Sequence, residues 1–514
     1  MKRREFISLT ALSALSGTRL PAVESTRNAD DGALASIKDK LSRDPLRPQY
    51  HLLPQAGFVG DPCAPRFFNG RYHVFFHGSV GGRGWHHAVS ADLVHWRHMP
   101  IAMAPTEGGI DARGTFTGGV LPSEVGAAII YTAVTKVDRA HETIRAEGLR
   151  EVQCIATSTD PDLREWKKRD EPVISTPPRG MHVTGFRDPF AWKDGDTWYL
   201  CVGTGFPHVG GAVLLYRSKD MVNWEYLHPL AEGAWNGKLY SNPVPSGEMW
   251  ECPDFFPLGD RHVLIYSTEH TTRWEVGTFD RGALRFFPER KGILDHGHYY
   301  APRSMADGTN RRLLWGWIQE GRDSKAVAEA GWSGCISLPR VLTLGKNNAL
   351  LMAVPPELAS LRRPTTVIRN PRDTSALNEW LSQTYIHNRA GEVSCLIRSG
   401  EDEWVLEIQH VSSSSAPPIL AIAYAQSNEA PCIAIGDKLI PLSPDESGTS
   451  TLHVWIDGSV IEVFIDDRET VTLRDYSSAD GGSALRILWK GAANPLKGLS
   501  ISDIEPISAD RLTT

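Results

Sequence analysis

Five times before residue 320, a turn holding Pro or Gly leads, within about a dozen residues, into a short run rich in β-branched and aromatic residues. The stretches are "GDPCAPRFFNGRYHVFF" from Gly60, "GTFTGGVLPSEVGAAIIYTAV" from Gly114, "RDPFAWKDGDTWYLCVG" from Arg187, "ECPDFFPLGDRHVLIYSTE" from Glu251 and "YYAPRSMADGTNRRLLWGW" from Tyr299. Each reads as strand, polar turn, strand, the signature of a hairpin. Three units carry a second echo, "SADLVHW" (90–96), "STDPDLREW" (158–166) and "SKDMVNW" (218–224), in which a Ser-x-Asp turn precedes a Trp expected to pack between sheets. Units of about fifty to seventy residues with roughly four strands each predict blades around a central axis, five of them. A β-sandwich with coincidental turns would not keep the opening motif in its place in every unit. From about 365 the pattern changes. Pro-rich "RRPTT" and "RNPRD" give way to alternating strands such as "EWVLEIQ" and "SVIEVFIDD", which predict a separate β-sandwich. The expected fold is all-β: a five-bladed β-propeller over 45–355 followed by a β-sandwich over 365–510.

Composition narrows the function. The 514 residues suffice for two domains with sizeable cores, and 41% hydrophobic with 22% charged content describes an ordinary globular chain. A net charge of −7 argues against a nucleic-acid partner, which needs a clustered basic surface. No Walker loop, H-E-x-x-H or G-x-S-x-G motif occurs, and "HGH" (296–298) has no third ligand at metal spacing, so it reads as loop and neither metal nor cofactor is expected. The opening "MKRREFISLTALSALSG" places Lys2, Arg3 and Arg4 ahead of a Ser/Ala/Leu stretch. That is the layout of an export signal over 1–30, and the Arg pair resembles a twin-arginine signal. The expected location is periplasmic or extracellular. No other run is long and apolar enough to span a bilayer. Seven scattered cysteines without a C-x-x-C pair are not a disulfide framework.

In a propeller the innermost strands line one funnel and their opening turns converge on its mouth. The first, third and fourth units place Asp61, Asp188 and Glu251 in those turns. Three carboxylates facing one another are rare unless chemistry requires them. Two carboxylates across a scissile bond are the equipment of a glycosidase, one ionised to attack and one protonated to give its proton to the leaving oxygen. Beside Arg187, Asp188 is expected to stay ionised. Glu251, between Trp250 and Cys252, is expected in a less polar setting that keeps it protonated. Asp61, flanked by Gly60 and Pro62, has an open face for attack. Calcium is the alternative use of three carboxylates, but calcium loops concentrate their ligands in one short segment.

These motifs resemble glycoside hydrolase family 32, the invertases, inulinases, levanases and related fructosyltransferases. "GFVGDPCAP" (57–65) is similar to the family's Asn-Asp-Pro-Asn-Gly block, "FRDPF" (186–190) to its Arg-Asp-Pro block and "WECPD" (250–254) to its Glu-Cys block. Supporting similarity lies in "GWHHAVSADLVHW", "TFTGG", "GHYYAPRSM", "GWSGCISLPRVLTL" and "WIDGSVIEVFIDD". The resemblance implies that Asp61 is the nucleophile, Glu251 the general acid/base, and Asp188 with Arg187 the holder of the fructosyl hydroxyls. It implies pocket walls at Trp85, Phe116 and Trp317, further substrate contacts at His77, Thr117, Cys252 and Tyr299, and a covalent fructosyl-enzyme. The implied partner is a carbohydrate, sucrose or a fructan.

The chain departs from the family pattern at Gly60, at Cys63-Ala64, at His77 where many members carry Gln, and at Thr117 in place of Ser. Each amide removed is a hydrogen bond lost to substrate, worth about 0.5–1.5 kcal/mol. Hydrolysis, fructosyl transfer, fructan binding without turnover, and action on arabinosides all stay open, as does the oligomeric state. The charged stretch "KVDRAHETIRAEGLRE" (136–151) reads as an insertion in the second unit, either a solvated segment or a rim on the funnel.

Overall fold

The computed structural model describes residues 37–512 except 125, 146, 399, 401–402, 413–415, 428–429, 478–482, 493–494 and 510, so the expected export signal lies outside the described residues. Five sheets open with the strands Gly57–Phe68, Gly114–Ser123, Phe186–Asp194, Glu251–Leu258 and Tyr299–Ala306. Within each sheet the later strands add antiparallel, as tight hairpin turns dictate. The five opening strands touch one another in cyclic order and the fifth meets the first, which closes the sheets into a five-bladed propeller. A parallel pair seals the ring, Trp332–Ser333 against Gly57–Phe58.

Apolar side chains fill every gap between blades. Phe75, Trp85 and Ile129 sit between blades 1 and 2, Leu121, Phe186 and Leu200 between 2 and 3. Cys201, Trp250 and Phe255 fill the gap between 3 and 4, and Phe256, Ile265 and Leu314 that between 4 and 5. Each large buried side chain contributes about 1.5–3 kcal/mol, so the ring is held by summed packing. The Ser-x-Asp turns lie at the end of the blades away from the funnel mouth. In the first of them Asp92 accepts from the backbone N–H of Val94 and His95, and Trp96 then packs edge-on against Trp315 of blade 5 at 6.5 Å.

Two six-stranded antiparallel sheets follow, drawn from residues 366–503. Val393, Leu406, Ile408 and Val454 fill the space between them, with Trp404 stacked on Trp489 at 5.1 Å. The strand Val460–Ile465 is buried at every position. Ile461, Val463 and Ile465 face the sandwich core, while Val460 and Phe464 join the cluster between blades 5 and 1. The propeller thus covers the face of this strand that carries Val460, Glu462 and Phe464.

Glu462, on the covered face, anchors a buried ionic network. It accepts from Arg340 Nη2 at 2.7 Å, His51 Nε2 at 3.0 Å and the Leu338 N–H at 2.9 Å. Arg340 also donates to Asp295 at 2.9 Å and lies over the Tyr299 ring. Asp457 accepts from His51 Nδ1 at 2.8 Å and from the backbone N–H groups of Gln49, Tyr50 and His51. Burial opposes a charge on His51, but the two carboxylates outweigh it and raise its pKa above the ordinary value, so both ring nitrogens donate. The segment that leads into blade 1 is thus pinned to the sandwich.

Candidate active site

Each innermost strand carries a one-residue register shift against its neighbour near its start, and the first carries another between Pro62 and Ala64. The shifts fall opposite His77, between Phe116 and Gly118, opposite Val202, opposite Tyr266 and opposite Gly316. A bulge of this kind bends the strand and re-aims its side chains. In blades 3, 4 and 5 the bulge residue precedes a Pro and takes a left-handed φ: 62° at Asp188, 50° at Cys252 and 49° at Ala301. Such a conformation costs about 1–3 kcal/mol for a residue with a side chain and persists where the surroundings enforce it.

The bulges correct the expectation that the three acids hold one place in the repeat. The last paired residue before each bulge is Arg187, Glu251 and Tyr300 in turn, so Glu251 corresponds to Arg187 and not to Asp188. These three side chains join side by side around the mouth. Arg187 donates to Glu251 Oε1 from Nη2 at 2.7 Å and from Nε at 3.2 Å, and the Tyr300 hydroxyl donates to Oε2 at 2.6 Å. The setting of Glu251 is therefore polar, and Arg187 serves Glu251 more closely than Asp188, which lies 3.9 Å from Nε. Neighbours in sequence pointed the other way because the bulge turns adjacent side chains apart.

Asp188 is buried and accepts from the Cys252 N–H at 3.0 Å and its Sγ at 3.6 Å. Arg303, also buried, donates to the Asp188 carbonyl at 3.0 Å. Asp61 keeps 23% of its side chain exposed and accepts from Thr117 Oγ1 at 3.2 Å. His77 Nε2 bonds the Thr115 carbonyl at 3.0 Å, and because a carbonyl only accepts, the proton sits there and Nδ1 turns its lone pair toward Asp61, 3.8 Å away. Burial holds this imidazole neutral, at about 4. Burial, then the charges of Asp188 and Glu251, push Asp61 up to about 7. Burial also lifts Asp188 to about 6, against the pull of Arg187. The cluster thus keeps a proton near neutrality, and its titration belongs to the group as a whole. Burial pushes the thiols of Cys63 and Cys252 well above the ordinary value, which keeps both un-ionised.

Structure thus brings together Asp61, Asp188, Glu251, Arg187, His77, Thr117 and Cys252. Trp317 lines the wall with Phe58, Tyr300 and Cys252. Phe116 packs half-buried on Val134, Ile144 and Leu149 at the edge of the mouth. Two expected contacts fail. Trp85 is fully buried between blades 1 and 2, with Nε1 on the Thr115 and Phe116 carbonyls, so it supports the strand that bears Thr117 without reaching the funnel. Tyr299 lies between blades 4 and 5 beneath Arg340; the neighbouring Tyr300 faces the mouth instead. Tyr300, Arg303 and the buried Glu151 went unread in the sequence. Tyr300 and Arg303 stood within the quoted "GHYYAPRSM" and Glu151 at the end of the quoted charged stretch, but nothing local marked their roles. In the "HGH" run, His296 pairs with Glu469 of the sandwich at 2.8 Å.

Such an arrangement can do two-carboxylate chemistry. Asp61 presents an open oxygen, and Glu251 sits across the mouth with one oxygen on a guanidinium and the other on a phenol.

Comparison with known proteins gives a consistent picture. Residues 51–355 match the model of the glycosyl hydrolases family 32 N-terminal domain, and residues 419–503 match that family's C-terminal model. A sucrose-6-phosphate hydrolase of Escherichia coli is 33% identical over 87% of this chain and 92% of its own. A raffinose invertase of the same organism is 32% identical over 84% and 90%. Among solved structures, fructan 1-exohydrolase IIa from Cichorium intybus in complex with 1-kestose superposes with a TM-score of 0.73 at 23% identity, over 90% of this chain and 98% of that one.

Proposed function

The chain belongs to glycosyl hydrolase family 32, and on that premise we propose that it cleaves terminal β-fructofuranosidic bonds of sucrose or fructans by double displacement. The observation that carries this reading is the convergence of Asp61, Asp188 and Glu251 from three blades, each with different partners. In the first step the Asp61 carboxylate attacks the anomeric carbon. The bond to the leaving sugar breaks, and Glu251 gives its proton to the departing oxygen. In the second step Glu251 takes a proton from water, the water oxygen bonds to the anomeric carbon, and Asp61 leaves as a carboxylate. Asp188, fixed by Cys252, accepts from the sugar hydroxyls. Arg187 and Tyr300 hold Glu251 toward the bond, and Thr117 helps hold Asp61 ionised.

Export belongs to the same reading, supported by the Arg3-Arg4 opening and by seven cysteines that are all free and buried, as suits a chain folded before it leaves a reducing compartment. Fractionation of cells expressing the full chain tests it: activity confined to the cytoplasm would end the export proposal.

The deciding test incubates the purified protein with sucrose, sucrose 6-phosphate, 1-kestose, inulin and levan, with Asp61→Asn as control. Release of fructose by the wild type alone is expected, with glucose as the partner product from sucrose or glucose 6-phosphate from sucrose 6-phosphate. Longer oligosaccharides at high sugar concentration would make the chain a transferase, and stoichiometric binding without products would make it a binding protein.

A further inference from the structure

Arg187 has a second carboxylate partner. Its Nη1 donates at 2.9 Å to Oε1 of Glu151, which lies on the third strand of blade 2, Leu149–Ser158, and is fully buried. Glu151 Oε2 accepts from the Phe186 N–H at 2.5 Å and from Thr143 Oγ1 at 3.2 Å. Two further blade 2 side chains grip the same turn of blade 3. Gln153 Nε2 donates to the Phe186 carbonyl at 2.8 Å, and Thr132 Oγ1 accepts from the Asp188 N–H at 2.9 Å while donating to Gln153 at 2.8 Å. Phe186, Arg187 and Asp188 are therefore bonded to blade 2 at backbone and side chain alike, around the residue that holds a left-handed φ. Thr143 comes from the charged 136–151 insertion, so this segment reaches the site from behind and does more than rim it.

We propose that Glu151 is a positioning residue for the reaction: by sharing Arg187 with Glu251 it fixes the guanidinium's aim and keeps Glu251 able to hold the proton it must donate. The proposal rests on the family 32 reading for the role of Glu251. A guanidinium given wholly to Glu251 would stabilise the carboxylate and weaken the acid; divided between two carboxylates, it stabilises each less. The other charges that bear on Glu251 are Asp61, Asp188 and the exposed rim residue His270. Glu147 of the insertion feels both Arg187 and Glu151, and Glu142 stands beside Glu147. Glu151 is set apart by its direct hydrogen bond to Arg187 Nη1.

The test is the pH dependence of kcat/KM on sucrose for wild type, Glu151→Gln and Glu151→Asp, with thermal unfolding in parallel. In Glu151→Gln the alkaline limb should move to lower pH by about 1 unit, with kcat about tenfold lower at the optimum. Glu151→Asp retains the charge, so its limb should stay with the wild type while kcat falls. A loss of kcat in Glu151→Gln with the limb unmoved would reduce Glu151 to a structural tie, and an unchanged rate would remove it altogether. Should Glu151→Gln fail to fold, Glu151→Asp decides alone: an unaltered kcat overturns the proposal. Wild-type protein that releases no sugar would sink the hydrolase reading instead. The crystal structure of Glu151→Gln then serves as readout, with Arg187 expected to close onto Glu251, and a guanidinium unmoved from its present place counting against us.

Discussion

Two buried ionic clusters sit on this molecule and answer to opposite rules. Between propeller and sandwich, Asp295, Asp457 and Glu462 meet Arg340 and His51, and each charge is matched by direct hydrogen bonds. At the funnel mouth, Asp61, Asp188, Glu251 and Glu151 crowd around Arg187 and Arg303, and burial with the neighbouring carboxylates raises the proton affinity of Asp61 and Asp188. Glu462 is pulled below its ordinary range where Asp61 is pushed above it, although burial opposes charge at both. One cluster is arranged for stability. The other leaves charge uncompensated, as a site that must pass a proton requires.

Neutralising one acid at the mouth is the strongest way to break the comparison. Asp61→Asn should lower kcat by about 10⁴-fold or more while raising the melting temperature, because it removes a repelled charge. Sugar release and calorimetry check both halves, and a variant that is inactive and also less stable would show the mouth to be structural. The interface counterpart comes next: Arg340→Met leaves Asp295 without its cation and Glu462 with His51 alone, and should cost about 3–5 kcal/mol in denaturant unfolding.

Stability against pH sharpens the contrast. The raised value of Asp61 means its contribution to stability is full below pH 3.8 and lost as pH rises through about 7, so the gain from Asp61→Asn opens across that window and is complete above it. His51 is also raised, from 6.5, so its contribution is full below 6.5 and fades as pH climbs through the folded value. The loss caused by His51→Gln should therefore be greatest in acid and shrink in alkali. Between pH 4 and 9 the melting curve of Asp61→Asn should part upward from wild type as pH rises, while that of His51→Gln should lie below wild type in acid and close on it in alkali; differences that stay constant with pH would deny both. The smallest effect is kinetic. Thr117→Val removes a hydrogen bond to the Asp61 carboxylate, worth about 1 kcal/mol, and should shift the acid limb of kcat/KM upward by about 0.7 unit.

Much of this was legible in the chain. Turns recurring with an acid gave the blades, the funnel and all three carboxylates. What failed, failed within one residue or across blades. A bulge inserts a residue, so period-two alternation no longer says which of Tyr299 and Tyr300 faces the axis, or that Glu251 matches Arg187. Trp85 looked like a pocket wall because aromatic residues at a mouth and in an interblade core read alike. Glu151 and Arg303 carry no local signal of their roles, since the groups they hold at the site, Arg187 and the Asp188 carbonyl, lie in another blade.

The strap that leads into the first blade has a consequence in time. His51 and Asp457 are 406 residues apart, and the strand that bears Asp61 is edged by Trp332–Ser333. Contacts between such distant positions are the slow ones to form. A ribosome delivers Asp61 early and its anchors late, so the strand that bears it is fully seated only after the sandwich has been made. Activity is thus a report that the second domain has been synthesised.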